Sequence, residues 1–310
     1  MARTRFAPDR GLTTRMALTM FLLGLVLVVF VIAIVLLLGR FGVSTAGIVF
    51  IAVLIGGGMT IGSLFFSDKI ALAASRARVV SPAEAPELHG IVDRLCALAD
   101  MPKPRIAISD TDMPNAFATG RNTKVAVLCV TTGLLKRLDG AELEGVIAHE
   151  MSHVAHKDVV VMTIASFLAI VAGLMVRFAF YGELFGGGRD RRGGDNNTAI
   201  VMLAIMAVSV VVYAVSFLLI RALSRYRELA ADRSGALLTG QPSALASALQ
   251  KVSGQIARIP TRDLRAAEAL NAFYFVPAFT KGSISGLFST HPPLEKRLAQ
   301  LAKISQQIGR

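Results

Sequence analysis

Four apolar runs limit what this chain can fold into. They are Leu18 to Leu38, Ala46 to Phe66, Val159 to Phe180 and Ala199 to Ile220. Each is long enough for the roughly 20 helical residues that cross a bilayer's hydrocarbon core. The chain is 54% hydrophobic, above the ~45–50% usual for soluble domains, so the excess points to membrane segments. The first run lacks a small-residue cleavage site and a second run soon follows, which reads as an anchor rather than a signal peptide. Gly56, Gly57 and Gly58 in the second allow either close helix packing or a kink. Arg177, near the end of the third, can snorkel toward water.

Charge suggests an orientation. The formal net charge is +12, and the Arg and Lys residues lie beside the apolar runs. That placement reads as topology and headgroup charge rather than nucleic-acid binding. Arg3, Arg5, Arg10 and Arg15 precede the first run, and Arg40 alone separates it from the second. Lys69, Arg76 and Arg78 follow the second, and Arg221, Arg225 and Arg227 follow the fourth. The positive-inside rule therefore puts both termini and the polar middle on the cytoplasmic side. The Gly-rich connector Gly182 to Asn197 resists, because it holds Arg189, Arg191 and Arg192. If runs three and four form a hairpin that does not fully cross, the connector changes side and the rest stands. Cys96 and Cys129 give no disulfide framework, which suits a reducing compartment.

The expected organisation is a tail with two membrane helices (1–66), a polar half (67–158), membrane or hairpin helices three and four (159–220), and a second polar half (221–310). Neither polar half has an obvious core alone, so the two are expected to pack together. Leu88, Ile91, Val92 and Leu95 have helical spacing within Pro86 to Ala99. Arg105 to Ser109 and Lys124 to Val130 read as strands, with a turn-rich piece holding Asn115, Ala116, Phe117 and Ala118 between them. Asp139 to Asp158 reads as one helix, with Asp139 and Glu142 spaced as a capping box. Another helix ends at Gly240, and an amphipathic one closes the chain. The fold class is membrane α+β, with four transmembrane helices and a mostly helical polar domain with few strands.

His149-Glu150-Met151-Ser152-His153 is H-E-x-x-H on that predicted helix. Residues four apart share a face, so both imidazoles can reach one zinc at about 2.0–2.1 Å. Glu150 need not ligate and can serve as a general base. With five His in the chain, chance gives this motif on the order of 0.002 times. A catalytic zinc takes three protein ligands. His156 would converge poorly from the same helix and reads as a solvated or outer histidine. Glu228 can be the third ligand. Asp232, one turn on, can accept a hydrogen bond from a ligand histidine. A pair of acids four apart is also common on solvated helices. Its position after the fourth run, opposite the motif helix entering the third, favours the ligand reading. His291 either stabilises an oxyanion or caps the last helix, and Arg297 either shares the charge role or forms a surface ion pair. His89 reads as structural.

The segments "HEMSHVAHKD", "RELAAD", "STHPPLEKRL" and "MPNAFATGR" resemble those of the HtpX-type membrane zinc proteases. That group belongs to peptidase family M48 with the Ste24 CaaX proteases. The resemblance implies a zincin-like catalytic domain and one Zn2+ per chain, held by His149, His153 and Glu228. It implies Glu150 as general base, Asp232 behind a ligand histidine and His291 at the oxyanion. It also implies that Asn115, Ala116, Phe117 and Ala118 form an edge strand pairing with substrate backbone. The expected function is degradation of misfolded membrane proteins, from the cytoplasmic face of a bacterial inner membrane. Three alternatives remain at this level: an intramembrane protease, a narrow CaaX-like processing enzyme, and a scaffold with a structural zinc. Leu138-Asp139-Gly140 superficially suits the first, but it precedes the His149 motif and lies outside every apolar run.

Overall fold

The computed structural model describes residues 10–40, 45–186, 196–256 and 291–308. In chain order the elements are α1 (Arg10–Arg40), α2 (Thr45–Ala74), β1 (Ala77–Val79), α3 (Pro86–Ala99), β2 (Arg105–Ser109), β3 (Ala116–Thr119), β4 (Val127–Thr131), α4 (Thr132–Leu135), α5 (Gly140–Ala155), α6 (Asp158–Gly186), α7 (Asn196–Thr239), α8 (Pro242–Ile256) and α9 (Leu294–Ile308). Arg3, Arg5 and positions 187–195 of the connector lie outside the described residues.

Two compact units divide the chain. One takes in Thr13–Ser63 and Met162–Leu223. Many of its large apolar side chains face outward, with Phe21 67% and Val211 62% exposed, as lipid-facing residues should be. Gly56 settles one question left open by the sequence. α2 runs on through it without a break, and a Cβ there would lie 2.6 Å from Val171 Cγ2 on α6. Gly57 and Gly58 meet nothing. Close packing therefore explains Gly56 alone.

Among the described residues, two helices are long and apolar enough to cross a membrane. They are Thr13–Leu37 within α1 and Leu203–Thr239 within α7, with a third if the broken pair α5–α6 counts as one span. The α7 stretch of 37 residues rises about 55 Å at 1.5 Å per residue, well beyond the ~30 Å core. Its apolar part ends at Ile220, and charged residues follow from Arg221. The sequence suggests a separate helix after the fourth run, but the two are one helix.

The other unit contains Leu64–Val161 and Ser224–Arg310. Its core draws on both: Leu95, Leu128, Val146 and Met151 join Leu245, Leu249, Leu301 and Ile304. The sheet is mixed, in the order β1-β2-β4-β3. β1 pairs antiparallel with β2, β2 parallel with β4, and β3 antiparallel with β4. β4 is central and buried along its whole length, which explains its unbroken apolar sequence. Leu128 and Val130 face the main core, while Val127 and Cys129 face Ala71 of α2. Cys96 and Cys129 are free and buried. Burial pushes their thiols up to about 11 and about 12, so both stay protonated and unreactive.

α5 begins at the capping box the sequence predicts. Glu142 N–H donates to Asp139, and Asp139 N–H donates back to Glu142. The helix is shorter than expected. It stops at Ala155, Lys157 takes the left-handed conformation at φ 56°, and Asp158 opens α6. No glycine or proline marks this break.

Candidate metal centre

α5 presents His149 and His153 one turn apart, on the face toward α7. α7 brings Glu228 to them. His149 Nε2 and His153 Nε2 lie 3.3 Å apart. Glu228 Oε2 is 3.6 Å from the first and Oε1 is 3.5 Å from the second. Metal bonds of about 2.0–2.1 Å at a tetrahedral angle set donors roughly 3.3–3.4 Å apart. The three side chains thus bring their donors within reach of one cation. Converging lone pairs and a carboxylate also call for positive charge. Burial disfavours a proton on His149, yet Asp232 and Glu228 outweigh it and raise this group to about 9. The donor set fits zinc.

Glu150 stands beside this group and outside it, with Oε1 4.0 Å from His149 Nε2. Its other oxygen accepts the Ala118 N–H at 3.2 Å. Burial raises the Glu150 carboxyl above its ordinary range, although His149 and His153 oppose the shift.

The four predicted substrate residues lie at the sheet edge. Ala116, Phe117 and Ala118 belong to β3, and Asn115 immediately precedes it. Asn115 N–H donates to Thr131 Oγ1. The Ala118 amide points off β4 toward Glu150. The outer edge of the sheet therefore reaches Glu150, beside the metal donors.

Asp232 and Arg297 form a buried chain behind His149. Asp232 Oδ1 is 2.9 Å from His149 Nδ1, and Arg297 donates to both Asp232 oxygens at 2.6 and 2.7 Å. Arg297 is only 2% exposed, so the surface-pair alternative falls. Arg297→Met leaves a buried carboxylate without its cation, and a loss of about 3–5 kcal/mol is expected, read as a lower thermal midpoint. His291 Nδ1 lies 2.9 Å from Glu228 Oε2, inside the cluster. His89 lies on α3, its Nε2 3.2 Å from the Val80 carbonyl oxygen and apart from this group. His156 is the C-cap of α5 and lies outside the donor set.

Sequence reasoning passed over three residues. Asp158 Oδ2 is 2.6 Å from His153 Nδ1. Arg227, read above as topology charge, lies 2.9 Å from Asp158. Gly235 lets α7 touch α5: a Cβ there would lie 2.9 Å from the His149 backbone nitrogen. The sequence signals Gly235 only by its small side chain within a helical run. Gly235→Ala is expected to cost about 1–3 kcal/mol by overpacking, and to weaken metal binding measured by chelator competition.

Residues 82–305 match the sequence model described as Peptidase family M48. The chain belongs to peptidase family M48. Within M48 it is 62% identical to "Protease HtpX homolog 1" of Streptomyces coelicolor, over 99% of this chain and 97% of that protein. It is 54% identical to "Protease HtpX homolog" of Moorella thermoacetica, over 99% and 98%. The crystal structure of S. mikatae Ste24p matches with a TM-score of 0.53 at 16% identity. That match covers 90% of this chain and 62% of the other, and speaks to the fold alone. As an M48 member with HtpX relatives along nearly its whole length, the chain is a membrane-type metalloprotease.

Proposed function

We propose that this M48 protease is a zinc endopeptidase that cuts cytoplasmic segments of misfolded or damaged membrane proteins. It works at the face of a bacterial inner membrane, which the chain crosses four times. Residues 67–158 and 221–310 form its catalytic domain, and 1–66 and 159–220 its membrane part. The observation that carries the reading is the convergence of the buried His149, His153 and Glu228 donors, with Glu150 beside them.

When bound, zinc supplies Lewis acidity to the scissile carbonyl and to water. Glu150 takes a proton from that water and later passes it to the leaving nitrogen. His291 donates to the oxygen on which negative charge develops. Asp232, clamped by Arg297, holds His149 in the tautomer that leaves Nε2 free to bind. The outer edge of β3 accepts substrate as an added strand, so main-chain hydrogen bonds give affinity with little sequence demand. That tolerance suits degradation of damaged proteins.

Proteoliposomes test the proposal. The protein is reconstituted with a membrane protein that carries unfolded tails. Many cuts in tails on the catalytic side, with none inside the spans, are expected. Cuts within a bilayer-embedded segment, or at a single C-terminal motif only, would overturn it.

A further inference from the structure

We propose that Asp158 and Arg227 are a positioning pair that aims His153 at the metal. The inference rests on the metal-site reading above and extends it to two residues. Asp158 Oδ2 sits 2.6 Å from His153 Nδ1, and Arg227 Nε sits 2.9 Å from that same oxygen. Both are withdrawn from solvent, the Asp158 side chain 2% exposed and that of Arg227 12%. An Nδ1–H donated to a carboxylate fixes the ring's tautomer and presents the Nε2 lone pair to a cation.

The backbone is shaped for this contact. Asp158 is five residues past His153, too far round a continuous helix to face its ring. The break supplies the return. His156 closes α5, Lys157 turns left-handed, and Asp158 becomes the first residue of α6. Val160 and Val161 N–H groups donate to the Lys157 carbonyl, which holds the turn. A non-glycine residue in the left-handed region costs energy, so the turn persists because its surroundings hold it.

The arrangement also repeats that at His149. Each histidine faces a carboxylate through Nδ1, and each carboxylate is paired with an arginine, Asp232 through both oxygens and Asp158 through one. α7 supplies Arg227, Glu228 and Asp232 from within two turns. One helix thus brings a metal donor and an anchor for both histidine ligands.

The test uses the full-length protein in detergent, metal-stripped, with zinc affinity read by chelator competition. Cobalt absorption reports the ligand geometry. Asp158→Asn is expected to raise the zinc Kd about 10–100-fold and to shift the cobalt bands. If that variant does not fold, Asp158→Asn combined with Arg227→Gln removes both charges and is expected to show the same loss. Asp158→Glu should recover part of it, which a purely structural pair would not. A zinc Kd within about twofold of wild type, with unchanged cobalt bands in a folded variant, overturns the inference. His153→Ala is run alongside. If wild type and His153→Ala bind zinc equally, the metal site itself is misassigned.

Discussion

Glu150→Gln is expected to keep its zinc and lose proteolysis, by about 10²–10⁴-fold in kcat/KM. The change is isosteric, and the glutamine oxygen can still accept the Ala118 N–H that Glu150 accepts now. Glu150 stands 4.0 Å from His149 Nε2 and outside the donor set, so its charge is not needed to hold the metal. It is needed to move a proton, and an amide cannot do so. Casein digestion and metal content on the same preparation check this. A variant that digests casein at the wild-type rate would remove Glu150 from the mechanism. One that has lost its zinc would make it a ligand.

Glu228→Ala should have the opposite signature, with metal and activity lost together. Glu228 faces both histidines and His291 at once. Asp232, one turn further along α7, cannot take its place, since it is committed to Arg297 and His149. The drop in zinc affinity should exceed the roughly 10–100-fold that follows loss of an outer hydrogen-bond partner. Metal analysis after dialysis against a weak chelator measures it. Full zinc retention would exclude Glu228 as a ligand.

These residues differ in how visible they were beforehand. His149, Glu150 and His153 are legible because one helical turn relates them, and that spacing is local. Glu228 lies far along the chain, and only the fold brings it close, so a spaced pair of acids in the right context was its signal. Asp158 was hidden by a break that lacks glycine and proline. With Asp158 placed on the wrong helix, its contact with His153 could not be seen, and Arg227 kept the meaning its position suggested. The sheet shows the same limit. β2 and β4 have β-branched apolar runs. β1 is three residues long, and β3 is Ala-Phe-Ala-Thr, with no β-branched apolar run, so only the family resemblance pointed to a strand there. The long apolar runs were plain throughout, because composition alone marks them.

The measurement that tests the account most directly is zinc titration of the metal-stripped protein in detergent, with casein digestion as the readout. The account predicts no digestion without metal, and full activity at one zinc per chain. Digestion that persists under chelation, or that never appears although one zinc is bound, would contradict it.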